Sequence, residues 1–210
     1  MVDVSPEVKL AQENTAKLLE GLGHTVVEGS WPVNAEEFAS AYTAFFRGRA
    51  LPLKKAVEAM SGVPVSEAGL LTNFFSTFSE FAATIEPEKA KQAEKFLDTF
   101  PTLFEKSFKQ FDMLLAPVCP VIGPKLSDFS PDDAFDIGTF TETLGQLKFT
   151  GPINFAGNPA MSVPLNWGAD SGMPIGSHFI AALGADKMLY EMAYELEEAR
   201  PWKDKWLHIR

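Results

Sequence analysis

An α/β fold, with a mixed β-sheet flanked by helices, is what this 210-residue sequence predicts. Three observations carry that expectation. Apolar residues recur at helical spacing in several long segments, a few short apolar runs have the length and composition of strands, and Gly or Pro punctuates nearly every boundary. Some short runs follow a helix and two lie side by side near the end, which suits a mixed sheet covered by helices.

Ser5-Pro6-Glu7 starts the first helix, with a hydroxyl N-cap, proline at the first helical position and an acid in the first turn. Val8, Ala11, Leu18, Leu19 and Leu22 supply its apolar face, and Gly21 and Gly23 end it. His24-Thr-Val-Val27 follows as a predicted short strand. Asn34-Ala-Glu-Glu37 has the form of a capping box, so a helix runs through Phe45 and Phe46 until Pro52 breaks or kinks it. Leu53 to Met60 is helical again. Residues 66–84 place Leu70, Leu71, Phe74, Phe75, Phe78 and Phe81 at spacings suited to one helical face, whose plain role is core packing.

Pro87 opens a further helix, which Pro101 interrupts, and a helix over Thr102–Phe111 leads into a buried strand at Met113-Leu-Leu-Ala116. A proline-rich loop over 117–131 is long enough to suggest a functional role. Strands at 160–164 and 175–182 precede a last helix over 185–199, stopped by Pro201-Trp202. The total is roughly four strands against six or seven helices. No linker divides the chain, so one domain over residues 1–210 is expected.

Composition narrows function by exclusion. Hydrophobic residues make up 46% and charged residues 22%, a globular balance, and the net charge of −10 argues against nucleic acid and against an anionic membrane surface. The first residues have neither a basic nor an apolar region of a signal peptide, and no apolar run reaches the ~18 residues of a spanning helix. A single cysteine, Cys119, rules out an internal disulfide framework. The cytoplasm is the expected compartment.

No chemical centre emerges from motifs. No serine has glycine two residues away on both sides, as a nucleophile elbow requires. Gly21-Leu-Gly lacks the third glycine of a dinucleotide fingerprint and runs from helix to strand. His24, His178 and His208 lie far apart, so neither a metal site nor a cofactor is expected. Cys119 in a Cys-Pro turn, with His178 as base, is the one nucleophile to weigh; its plain reading is a small buried thiol that packs like an apolar side chain. His178 itself suits a hydrogen-bonded sheet residue.

Four segments, in order, resemble the C-terminal half of the amidase signature family. They are Pro6-Glu-Val with Leu18 to Glu28, Phe111 to Pro117, Phe149-Thr-Gly-Pro-Ile-Asn-Phe-Ala-Gly-Asn-Pro-Ala-Met-Ser-Val-Pro164, and Gly172-Met-Pro-Ile-Gly-Ser-His-Phe179 with Leu189 to Trp202. The wording of the last segment is similar to the branch of general amidases and cyclic oligoamide hydrolases. The resemblance implies the C-terminal portion of that fold and an amide-hydrolysing activity. It also implies that the Ser–cis-Ser–Lys triad lies in the other half, because these 210 residues contain no Gly-Gly-Ser-Ser-Gly-Gly run. No catalytic residue is therefore assigned here. By the same resemblance Thr150, Ile153 and Asn154 belong to the substrate-facing segment, with Thr150 and Ile153 as the pocket wall and Asn154 better suited to fixing backbone at the tight turns around it.

Two classes of function follow. The chain is either the C-terminal part of an amidase, inactive alone, or a non-enzymatic binding or scaffold module with the same half-fold. The first implies a partner, either an N-terminal amidase half or a second copy. That partner would cover open strand edges and apolar surface on the order of 2,000 Å².

Overall fold

The computed structural model describes residues 4–123, 132–134, 136–138 and 145–208. They group into two compact units. One comprises the start of the chain to Val33, the segment from Thr99 to Gly123, and the chain from Gln146 onward; the other contains Asn34–Asp98.

In the first unit, helix α1 spans Pro6–Gly21. Ser5 caps it, accepting from the Val8 amide, and the Ser5 amide donates to the Pro120 carbonyl at 2.8 Å. Val8, Ala11, Thr15 and Leu19 are its buried stripe, at spacings of three and four. Gly23, at φ +99°, supplies the left-handed turn that ends it. The strand predicted at 24–27 does not form. Val26 packs on the core, but Val27 is 56% exposed, and no described strand pairs with this segment.

Three strands make the sheet: β1 (Met113–Pro117), β2 (Ala160–Trp167) and β3 (Pro174–Ala181), in the order β1-β3-β2. Both pairings among the described residues are antiparallel. β3 is central; His178 lies opposite Ala116 on β1 and Ser162 on β2. A register shift between Val163 and Asn166 accommodates Pro164, which has no amide to give to a ladder.

Alternation along the strands assigns two faces. Ile175, Ser177, Phe179 and Ala181 point to α1 and to the last helix, written α8 below. Phe179, Ala181, Val163 and Leu165 pack with Leu19, Leu189 and Leu196. Ile175 packs with Val8 and Ala11. The intervening residues Gly176, His178 and Ile180 form the other face.

That second face is approached by α7 (Gly151–Ala156), and α6 (Phe100–Ser107) packs against α7. Trp31 stands edge-on to both Phe104 and Phe149, at centroid distances of 5.5 and 5.4 Å. Phe100, Phe104 and Phe149 are all buried, which fixes the start of α7. Helix α6 begins earlier than predicted, with Pro101 inside its first turn rather than interrupting a helix. Helix α8 spans Asp186–Ala199 and a 3-10 turn follows at Lys203–His208.

The second unit holds α2 (Ala35–Phe45), α3 (Arg47–Ser61), α4 (Asn73–Thr84) and α5 (Pro87–Leu97). Asn34 Oδ1 accepts from the amides of Glu36 and Glu37, as the capping pattern predicts. The helix break expected at Pro52 falls instead at Phe46, leaving Pro52 inside α3. The apolar stretch over 66–84 is helical only from Asn73; Thr72 caps it, and Leu70 is 57% exposed. Its buried face combines Phe78 and Ala82 with Ser76 and Ser79, and Phe78 meets Ala50 of α3.

Candidate functional site

The face of the sheet opposite α1 carries two adjoining concavities within the first unit. One, of about 330 Å³, is lined by residues of α7 and its flanks together with Ser162 and His178. The other, of about 360 Å³, lies between the segment after β1 and the strands β2 and β3. Val118 and Ser162 border both.

Period-two geometry builds this groove. Ala160, Ser162 and Pro164 alternate with Met161 and Val163 on β2, while Pro174, Gly176 and His178 alternate with Ile175 and Ser177 on β3. Gly176 sits at its floor. A Cβ there would lie 2.6 Å from Ser162 Oγ and 2.7 Å from Val118 Cγ2, so only glycine lets these two side chains close over the strand.

Helix α7 forms the opposite wall. It starts after Thr150, contains Pro152 in its first turn and ends at Gly157, whose φ is +75°. The Gly157 amide donates to the Ile153 carbonyl at 2.9 Å. Asn158 Nδ2 donates to the Ala181 carbonyl at 2.8 Å, tying the turn after α7 to the end of β3. Backbone fixing thus falls to Asn158, whereas Asn154 is exposed and borders the cleft.

Thr150, Ile153 and Asn154, singled out from the sequence, all line the first concavity. Asn158, Ser162, His178 and Val118 line it too and were not assigned there from the sequence. For the strand residues the alternation along β2 and β3 was the available signal. Val118 lies in the proline-rich segment after β1, where no periodicity marks a face.

His178 is 5% exposed and its Nδ1 has no hydrogen-bond partner among the described residues. The hydrogen bond that its sequence setting suggests is not made at Nδ1. Burial lowers its pKa to about 4, so the imidazole is neutral at pH 7. Burial also pushes the Cys119 thiol up. Cys119 lines the second concavity rather than the one containing His178, and no hydrogen bond joins the two among the described residues. A thiol nucleophile needs a lowered pKa and a base within reach; the Cys119 pKa is raised, and no hydrogen bond joins it to a base among the described residues. No cluster of three metal-binding side chains occurs among the described residues.

The family model for amidases aligns with residues 1–190. The chain belongs to the amidase family. AmiC of Mycobacterium leprae is 28% identical over 200 residues, which cover 95% of this chain and 42% of that protein. A 6-aminohexanoate-cyclic-dimer hydrolase of a Pseudomonas species is 33% identical over 97 residues, 44% of this chain and 20% of its own.

Among solved structures, 6-aminohexanoate cyclic dimer hydrolase complexed with substrate superposes with a TM-score of 0.77 at 24% identity, over 95% of this chain and 42% of the enzyme. A bacterial aryl acylamidase of the amidase signature family gives 0.76 at 20% identity, over 97% and 42%. These likenesses establish an amidase signature fold. The chain spans about 42% of the length of such relatives. Among its described residues no helix is long and apolar enough to cross a membrane.

Proposed function

We propose that this amidase-family chain supplies one wall of the substrate site of an amide-bond hydrolase and does not hydrolyse amides alone. The observation that carries the reading is the convergence of Thr150, Ile153 and Asn154 on one cleft above the sheet. The Ser–cis-Ser–Lys machinery comes from sequence outside these 210 residues, which contain no Gly-Gly-Ser-Ser-Gly-Gly run. Such machinery activates a serine through a proton relay and holds the developing oxyanion with backbone amides. In this assignment the present chain positions the substrate and excludes water from one side.

The proposed partner is an N-terminal amidase segment, with a second copy of this chain as the lesser possibility. Both β1 and β2 are edge strands of the described sheet, and residues 24–29 carry no regular secondary structure. Open edges of this kind favour pairing with another segment. The cytoplasm is the proposed compartment, in keeping with a single free cysteine.

Co-expression with an amidase-signature N-terminal segment bearing Gly-Gly-Ser-Ser-Gly-Gly tests the assignment. Hydrolysis of acetanilide is expected from the assembled complex and not from this chain alone. Hydrolysis by the isolated chain overturns the proposal. An assembled but inactive complex also overturns it, and leaves a non-enzymatic binding module.

A further inference from the structure

Two helices leave an outer face exposed, and the two faces differ in charge. On α3, Arg49, Leu53, Ala56 and Met60 recur at spacings of three and four, and all are exposed, Met60 to 80%. On α8, Tyr190 and Tyr194 stand one turn apart at 68% and 72% exposure, with Asp186, Glu197 and Glu198 on the same side of the helix. Large apolar side chains exposed singly need no explanation, but a run of them along one face marks an interaction surface.

The charges stand at the wrong ends of both helices. The positive end of a helix dipole favours anions, yet α3 has no acid in its first turn and opens with Arg47 and Arg49. The negative end favours cations, yet α8 has no base in its last turn and closes with Glu197 and Glu198. Lys187 pairs with Glu191, and His24 with Glu195. Arg49 lies over the Phe45 ring. Among the described residues no ion pair joins Arg49, Asp186, Glu197 or Glu198 to an opposite charge.

One contact relieves both mismatches. Laid antiparallel, the start of α3 in one copy meets the end of α8 in another. Arg49 then faces Glu197 and Glu198, while Leu53, Ala56 and Met60 run over Tyr194 and Tyr190. Arg49 to Met60 spans as many residues as Glu198 back to Lys187, so the two faces match in length. A guanidinium pairs well with carboxylates, and methionine packs well on aromatic rings. Helix α8 packs on the face of β3 opposite the cleft, so a chain seated on its outer face leaves the cleft open.

We infer that copies of this chain associate head to tail, the outer face of α3 in one seated antiparallel on the outer face of α8 in the next. This contact is distinct from pairing of the open strand edges. A contact between unlike faces closes into a ring or runs on as a chain. A pair of helix faces is at the small end of protein interfaces, so the association is weak and sensitive to salt.

Sedimentation velocity on the full 210-residue chain, over a concentration series, tests this. Association is expected to grow with concentration at low ionic strength and to weaken about tenfold or more in ~1 M salt. Arg49→Glu and the double change Glu197→Lys/Glu198→Lys are each expected to weaken it about tenfold. Met60→Glu acts in the same direction at a side chain already in solvent, without touching the Phe45 contact. Mixing the Arg49→Glu chain with the Glu197→Lys/Glu198→Lys chain is expected to restore association, because the reversed α3 of one meets the reversed α8 of the other. Circular dichroism checks that each variant is folded.

A chain that stays monomeric at low ionic strength overturns the inference. Association that none of the variants alters also overturns it, and assigns the contact to the strand edges. Reversed chains that fail to associate when mixed overturn the pairing of α3 with α8.

Discussion

Thr15 Oγ1 and Ser177 Oγ lie 2.8 Å apart, both fully buried, and join α1 to the central strand of the sheet. Thr15 also donates to the Ala11 carbonyl at 3.0 Å and accepts from Asn166 Nδ2 at 2.9 Å. With its one hydrogen committed to Ala11, Thr15 accepts from Ser177 as well as from Asn166. Asn166 Nδ2 reaches the Ala11 carbonyl too, at 2.9 Å. A small polar network thus sits inside an apolar interface, on the face of β3 opposite the groove. Thr15→Val keeps the shape and removes the hydroxyl, leaving Ser177 and Asn166 with fewer partners. The expected loss is about 1–3 kcal/mol, measured by urea unfolding, with Thr15→Ser close to the parent. A Thr15→Val/Ser177→Ala double variant should lose less than the sum of the two single changes, because the orphaned serine is gone.

Gly176 gives a prediction about the groove itself. Its missing side chain is what allows Ser162 and Val118 to meet over β3. Gly176→Ala forces at least one of them away and should destabilise the chain by about 1–3 kcal/mol. Val118→Ala in the same chain removes one of the two close contacts and should recover part of that loss. Thermal unfolding of the single and double variants checks both signs. A Gly176→Ala chain as stable as the parent would mean that the two side chains are not held against the strand.

Legibility in the sequence followed how local each determinant was. Helix α1 was readable because Ser5, Pro6 and Glu7 are caps whose partners lie within one turn. The α2 start was readable for the same reason, from Asn34. The segment over His24–Val27 misled because β-branched residues fit an extended chain, while a strand needs a neighbour that sequence cannot show. Pro52 misled because the α2–α3 break falls at Phe46, whose ring stands edge-on to Tyr42 and Phe78, a packing context that local sequence does not display. At the site, the resemblance over Phe149–Pro164 led to Thr150, Ile153 and Asn154. The neutral state of His178 depends on burial, which is a property of packing.

Pro52 lies well inside α3, where it has no amide to donate to the Gly48 carbonyl. An interior proline costs a helix about 3 kcal/mol, offset in part by a stiffer unfolded chain worth about 0.4–1 kcal/mol. Pro52→Ala should therefore stabilise the helix by about 2 kcal/mol, with a rise in thermal midpoint and no loss of helical circular dichroism. A fall in stability would show that the surrounding helices depend on a bend at this position.

The buried imidazole of His178 makes stability depend on pH in a direction that can be worked out. Its pKa is about 4 in the folded chain, against an ordinary value of about 6.5 when exposed. Between these values the unfolded chain binds the extra proton and the folded chain does not. Stability therefore rises with pH through this window. The contribution is fully present above about pH 6.5 and is lost progressively as pH falls toward 4. The total swing is on the order of 3 kcal/mol. Urea midpoints measured from pH 7.5 down to 4 should fall more steeply for the parent than for His178→Gln, which cannot titrate. Parallel profiles would mean that the imidazole is hydrated, or paired by a group that accepts its charge.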